Sequence, residues 1–194
     1  MPTIVTHAAI PLAIGFGLGR KRIPGRLLAV GIAAAMLPDI DVFGRVLDIP
    51  FDSIMGHRGV THSLFFAGAT AVGVAYASSF LKVNGWLAAL FTFICIASHG
   101  LLDMATTGGP GIALYWPWSE ERLFFPWQFI KVSPLSLDGF LSKRGMDVIM
   151  SELAWVWFPC MALMLAFSLH RAHTRKRLLA KIASGQSPHG KTDS

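Results

Sequence analysis

The stretch LPDIDVFGRVLDIPFDSIMGHRGVTHS, residues 37–63, gathers Asp39, Asp41, His57 and His62 in one window of an otherwise apolar chain. Further on, SHGLLD carries His99 and Asp103 four residues apart. On a helix that spacing turns both side chains to one face and suits two ligands of a single metal. Asp39 and Asp41, two apart, would point to different sides of a continuing helix, so one could ligate while the other orients a histidine. His57 and His62, five apart, argue for a loop leading into a helix. His7, in THAAIP, joins the candidates. Imidazole and carboxylate without thiolate suit zinc, with manganese or ferrous iron as alternatives. More candidates stand here than one tetrahedral zinc uses, so one or two divalent ions are expected. Two ions about 3.5–4 Å apart would activate water for hydrolytic displacement at a phosphoester. Arg58, inside GHRGVTHS, either presents its guanidinium fork to a phosphate or pairs with one of the aspartates.

These residues need elements that bring them together. The chain has 194 residues, 53% hydrophobic and 14% charged, with a formal net charge of +6 and a mean hydropathy of +0.53. Charged residues make up about a quarter of a soluble domain, so the composition points to a membrane protein, and the length to one domain. Five apolar segments emerge: Thr3–Gly19, Leu27–Ile40, Thr61–Leu81, Gly85–Asp103 and Ser151–Leu169. A bilayer core of about 30 Å takes about 20 residues of helix; the first two segments are short and rich in glycine and alanine, and a re-entrant hairpin is their alternative. The first segment has its positive cluster after the apolar run, the reverse of a cleavable signal. It reads as a retained helix. Cys95 and Cys160 lie inside apolar runs as small core residues and offer no disulfide framework.

Lys and Arg collect in cytoplasmic loops. Arg20, Lys21, Arg22 and Arg26 lie between segments one and two, Lys82 between three and four, and Arg171, Arg175, Lys176, Arg177, Lys181 and Lys191 after five. The other side receives Arg45, Arg58, Arg122, Lys131, Lys143 and Arg144, spread over much longer loops. The expected fold is therefore all-α: an integral membrane helical bundle of about five transmembrane helices, N-terminus out and C-terminus in. Residues 1–169 form the membrane-embedded unit, with an external aromatic loop at 104–150. Residues 170–194 form a basic cytoplasmic tail ending in a disordered SGQSPHGKTDS. That tail could meet anionic lipid or a cytosolic protein partner; its charge is accounted for by orientation, and no nucleic-acid partner is expected. His170, His173 and His189 fall there and receive no site role.

This topology sends His7, Asp39, Asp41, His62, His99 and Asp103 to one face of the bundle. Ionisable groups cost about 2.5–3.5 kcal/mol each at the centre of a membrane helix, so such a gathering calls for a compensating cation; a purely structural polar network is the alternative. Asp48 and Asp52, mid-loop, read as solvated. The aromatic segment YWPWSEERLFFPWQF, with Tyr115, Trp116, Trp118 and Trp127, suits an interfacial belt over the helix ends.

The motifs THAAIP, LPDID, GHRGVTHS and SHGLLDMATTGG, followed by LYWPWSEERLFF, resemble in the same order the YdjM-type family of bacterial inner-membrane proteins, also called LexA-binding inner-membrane hydrolases. The resemblance covers residues 6–127. It implies a multi-pass protein of the bacterial inner membrane with a metal site at His7, Asp39, Asp41, His57, His62, His99 and Asp103, and it extends to Trp116, Pro117, Ser119 and Arg122. It gives no settled substrate. A fainter likeness, of spacing alone, links HGLLD to zinc-dependent phospholipase C and the related single-strand nucleases. The expected activity is metal-dependent hydrolysis of a phosphoester in a lipid or lipid-linked substrate. A metal-activated water would be the nucleophile, Asp39 or Asp41 the base, and Arg58, Trp116 and Arg122 the substrate contacts. The alternative is a non-enzymatic, metal-stabilised membrane scaffold or regulator that binds a cytosolic partner through its basic tail.

Overall fold

Apolar runs punctuated by glycine, proline and capping side chains become eight α-helices in the computed structural model, which describes residues 1–134 and 136–184. The 3-10 turn Ile4–Ala8 leads into α1 (Ala9–Leu18). After a basic turn, α2 (Gly25–Met36) runs on as a 3-10 helix, Leu37–Leu47, with Pro38 in its first turn, where a missing N–H costs nothing. A second 3-10 turn, Val60–His62, precedes α3 (Leu64–Tyr76); the Ser63 hydroxyl caps α3 by accepting the Phe66 N–H at 3.1 Å. The short α4 (Ser78–Leu81) connects to α5 (Gly85–Met104), which Asn84 caps by accepting the Trp86 N–H at 2.8 Å. Residues 105–134 form a long loop, followed by α6 (Leu137–Phe140) and α7 (Lys143–Glu152). A π-helical turn, Leu153–Trp157, joins α7 to α8 (Phe158–Ala183). No β-strand occurs among the described residues.

Three continuous helical stretches are long and apolar enough to cross a membrane: Gly25–Leu47, Gly85–Met104 and Lys143–Ala183. The expected segments Thr3–Gly19 and Thr61–Leu81 are present as shorter apolar helices, Ile4–Leu18 and Leu64–Tyr76. The 13 residues of α3 cover about 20 Å at 1.5 Å each, because Ser63 caps the start and the chain breaks at Ala77 before α4. At the other extreme, α8 passes Leu169, where the apolar run ends, and stays helical to Ala183. Arg, Lys, Leu and Ala are good helix formers whether or not lipid surrounds them. The tail expected to be disordered begins at Ser184, so all of it but that residue, and His189 with it, lies outside the described residues.

The helix α5 is the hub. Its Ala88, Phe91 and Cys95 pack with Ile23, Leu27 and Ala35 of the α2 hairpin into a buried core, and Ile96 packs with Ala34 and Ala67 of α3. Gly31 lets α2 press on α5: a Cβ there would overlap the Phe91 ring. The helices α1 and α8 run side by side in the same direction. Near their starts Glu152 accepts the Thr3 N–H and the Thr3 and Thr6 hydroxyls. Near the end of α1, Arg171 Nη1 donates to the carbonyls of Gly17 at 2.7 Å and Phe16 at 3.2 Å. The loop after α5 carries its own buried side chains, Ile112, Leu114 and Ile130, and is laced to the rest by Leu64 N–H to Leu114 O and Ala113 N–H to Arg58 O.

The 3-10 helix Leu37–Leu47 has two faces. Asp39 and Asp41 are buried, whereas Ile40, Phe43 and Val46 are 55%, 70% and 79% exposed.

Candidate metal centre

Three pieces of chain converge on His99 and Asp103: the turn before α1 with His7, the 3-10 helix after α2 with Asp39 and Asp41, and the GHRGVTH loop with His57, Arg58 and His62. As their spacing predicts, His99 and Asp103 share one face of α5, and both are wholly buried. The imidazole Nδ1 of His99 donates to the Ala35 carbonyl at 2.7 Å. That of His62 lies 3.1 Å from Asp41 Oδ2. Each Nδ1 therefore has an acceptor, which leaves each Nε2 as the free nitrogen, and the two Nε2 atoms stand 3.0 Å apart.

Carboxylates complete this cluster. Asp39 Oδ1 lies 3.4 Å from His99 Nε2 and 3.8 Å from His62 Nε2, and Asp103 Oδ2 lies 3.7 Å from His62 Nε2. One ligand atom from each of Asp39, His62, His99 and Asp103 falls within 4.8 Å of the others. Atoms bound at 2.0–2.2 Å to one tetrahedral ion are about 3.3–3.6 Å apart, so the spacing is that of a ligand set. It is too long for charge-assisted hydrogen bonds, which run at about 2.7–2.9 Å. His7 faces the same carboxylates from the other side, its Nε2 3.9 Å from Asp39 Oδ2 and 3.7 Å from Asp103 Oδ1. Its ring stacks on His99 at 3.6 Å between centroids. Both nitrogens of His7, both oxygens of Asp39 and Oδ1 of Asp103 are buried without a hydrogen-bond partner among the described residues. Buried polar atoms are normally satisfied, and an unpaired buried carboxylate is expensive. Orphaned imidazole and carboxylate atoms with no sulfur among them fit a zinc, manganese or ferrous ion.

Asp41 differs from Asp39 in its surroundings. Its Oδ1 accepts His57 Nδ1 at 2.7 Å, and its Oδ2 accepts the Arg58 N–H at 3.1 Å and the Thr61 hydroxyl at 2.7 Å, beside His62 Nδ1. Asp41, His57 and His62 also form a compact group. Burial, the largest influence, lowers the pKa of His62, but the neighbouring carboxylates of Asp39 and Asp41 outweigh it and push the value up to about 9.

The arginines are placed differently from the expectation that they bind phosphate. Arg58 is fully buried: its Nε pairs with Asp103 Oδ2 at 3.0 Å, Nη1 donates to Gly108 O at 2.8 Å and Nη2 to Thr106 Oγ1 at 2.9 Å. Of the two readings, the ion pair with an aspartate is the one observed. Its backbone sits at φ 65, a left-handed conformation rare for a side chain this large, and the bonds at both ends of the residue hold it there. Arg122 is likewise engaged. Its Nη1 donates to the carbonyls of His57, Arg58 and Gly111, each at 3.3 Å, and its Nη2 to Asp52 at 3.0 Å and Ser53 at 2.7 Å. It clamps the loop that carries His57 and does not face the cluster. Trp116 packs edge-on against Phe65 of α3 at 5.5 Å. Asp48 and Asp52 are exposed, as their mid-loop position predicts.

Glu152 and Thr6 escaped the sequence reading. Glu152 is 3% exposed and ties the turn carrying His7 to the head of α8, where Trp157 Nε1 also donates to Thr6 Oγ1 at 3.1 Å. The available signal was a lone acid at the head of the last apolar segment, at the end of the bundle where the other acids gather.

The profile of the YdjM inner membrane protein family matches residues 1–174. The chain is similar to Inner membrane protein YbcI of Escherichia coli (strain K12), 48% identical over 165 residues, which cover 84% of this chain and 95% of that protein. No solved structure matches significantly. The chain thus belongs to the YdjM inner membrane protein family and is a protein of the inner membrane.

Proposed function

We propose that this protein is a membrane-bound, metal-dependent hydrolase acting on a phosphoester in a lipid or lipid-linked substrate. The observation that carries the reading is the pair of Nε2 atoms of His62 and His99, 3.0 Å apart, with both Nδ1 atoms already committed and two buried carboxylates alongside. Asp39, His62, His99 and Asp103 would hold a first ion, zinc in preference to manganese or iron. Asp39 and Asp103 each turn one oxygen towards His62 or His99 and the other towards His7, an arrangement that accommodates a second. A divalent ion so held supplies Lewis acidity, polarising an ester oxygen and lowering the pKa of water towards about 7.

The chain's own groups do the rest. Asp41, facing the Nδ1 atoms of His57 and His62, would orient these rings, a positioning role in place of ligation or proton transfer. His57 keeps Nε2 to carry a proton to or from the reacting group. Arg58 steadies Asp103. The loop from Thr106 to Val132 covers the cluster and excludes bulk water. The lipid character of the substrate is supported by the exposed Ile40, Phe43 and Val46 beside the aspartates, and by Trp118 and Trp127, 79% and 76% exposed on the covering loop, where an interfacial belt is expected.

A second reading draws on the enclosure of the cluster. With His7, His99 and Asp103 at 0% exposure, an ion there would serve equally to hold a non-enzymatic scaffold together while the basic tail binds a cytosolic partner. Metal content and phosphodiesterase or phospholipase turnover of the purified protein, with His99→Ala and Asp103→Ala as controls, separate the two. Bound metal with turnover lost in both variants supports the enzyme. Bound metal without turnover on a broad lipid panel supports the scaffold, and wild-type protein that binds no metal ends both.

A further inference from the structure

The end of the bundle opposite the metal centre is built from the α1–α2 turn and the last turns of α8. Between them lies a crevice of about 980 Å³, lined by Arg20, Lys21, Arg22, Arg175 and Lys176, with Leu18 and Phe167 as its apolar wall. Its frame is fixed. Arg171 reaches across from α8 to the carbonyls of Phe16 and Gly17, satisfying the open C-terminal end of α1. Gly19, at φ 79, leaves the space in which the guanidinium lies; a Cβ there would overlap Arg171 Nη1.

Among the described residues the crevice has no internal counter-charge. No Asp or Glu occurs in residues 1–38 or 153–184, which include every residue that lines it. Arg20, Lys21, Arg22, Arg175 and Lys176 are exposed, and no described acidic side chain balances the charge they concentrate. Three helices are long and apolar enough to cross a membrane, and α8 exposes Leu163, Leu165, Phe167 and Leu169 on the approach to this end. The crevice therefore stands where the apolar girdle of the bundle gives way to charge, at headgroup depth.

We propose that this crevice is a binding site for an anionic phospholipid, whose phosphate lies among Arg22, Arg175 and Lys176 while its acyl chains run along Leu18 and Phe167. The site is separate from the metal centre and independent of the reaction carried out there. Basic residues near a membrane surface contribute about fivefold in affinity each, the equivalent of about 1 kcal/mol.

Native mass spectrometry of the detergent-purified full chain, titrated with phosphatidylglycerol or phosphatidylcholine of identical acyl chains, tests this. Wild-type protein is expected to retain phosphatidylglycerol at least tenfold better than phosphatidylcholine. The triple variant Arg22→Gln, Arg175→Gln, Lys176→Gln is expected to lose that preference, at about fivefold per charge removed, while Lys143→Gln with Arg144→Gln at the other end keeps it. Equal retention of the two lipids by wild-type protein would overturn the proposal without recourse to any variant. So would an undiminished preference in the triple variant, or displacement of the lipid by millimolar inorganic phosphate, which would assign the crevice to a free anion.

Discussion

Replacing Asp41 and Asp39 in turn by asparagine should have unequal effects on the metal-free protein. Asp41 accepts from His57 Nδ1, the Arg58 N–H and the Thr61 hydroxyl and stands beside His62 Nδ1, all at 2.7–3.1 Å. An asparagine amide can keep one acceptor oxygen, best placed at Oδ2. Its NH2 then meets His57, which must change tautomer, and the remaining bonds lose their charge. A hydrogen bond to a charged group is worth about 1.5–3 kcal/mol and a neutral one about 0.5–1.5, so three weakened bonds cost about 3 kcal/mol of stability. Metal affinity should fall about 10- to 100-fold, the usual effect of losing a partner that orients a ligand histidine. Asp39 has no donor closer than 3.4 Å, and both its oxygens lack a hydrogen bond. Asp39→Asn should weaken metal binding at least as much, yet cost the chelator-treated protein much less stability than Asp41→Asn, because the Asp39 carboxylate has no hydrogen bond to lose. Competition against a chromogenic chelator reads the affinities, and denaturant unfolding in detergent with and without chelator reads the stabilities. Equal destabilisation of the metal-free protein by both variants, or wild-type metal retention in Asp41→Asn, would refute the division of roles between the two aspartates.

Three further outcomes are expected. His62, raised to about 9 by Asp39 and Asp41 against the pull of burial, contributes stability to metal-free protein that is complete below its ordinary value and lost as pH rises through about 9. Metal competes with that proton, so chelator competition at pH 6, 7 and 8 should give an affinity rising by up to tenfold per unit; a flat profile contradicts it. Glu152→Ala should destabilise the protein by about 3 kcal/mol, since three donors lose a buried charged acceptor, and it should also lower metal affinity by releasing the turn that carries His7; Glu152→Gln should recover part of both. In Gly59→Ala the new methyl would collide with the Ile54 carbonyl and displace the loop between His57 and His62. The variant should lose metal with a stability cost of about 1–3 kcal/mol, and wild-type metal content would show the loop to be more pliant than its contacts imply.

The single-faced gathering of His7, Asp39, Asp41, His62, His99 and Asp103 was legible because helix direction alternates with each apolar segment, and the His99/Asp103 spacing matches the helical repeat. That the two aspartates would differ was legible too, but which of them meets His57 and His62 was not, because it depends on a 3-10 geometry that an α-helical pattern does not encode. Arg58 and Arg122 pointed to phosphate on charge type alone. Their actual partners, Thr106, Gly108, Asp103 and a row of loop carbonyls, come, Gly111 apart, from chain 45 to 70 residues away and only a folded loop could supply them. The helix ends were misjudged for a related reason. Hydropathy reports where lipid contact stops, at Leu169, whereas backbone hydrogen bonding and helix propensity carry α8 on to Ala183.

The 3-10 helix Leu37–Leu47 turns once every three residues and rises about 2.0 Å per residue, so its 11 residues extend about 22 Å, and side chains three apart eclipse one another. Ile40, Phe43 and Val46 accordingly line up as a straight keel along the outside of the element, while Asp39 and Asp41 hang from its inner side. Keel and carboxylates share one short run of backbone. Whatever shifts the keel therefore shifts both aspartates, so a single element sets the apolar outer ridge and the buried carboxylates together.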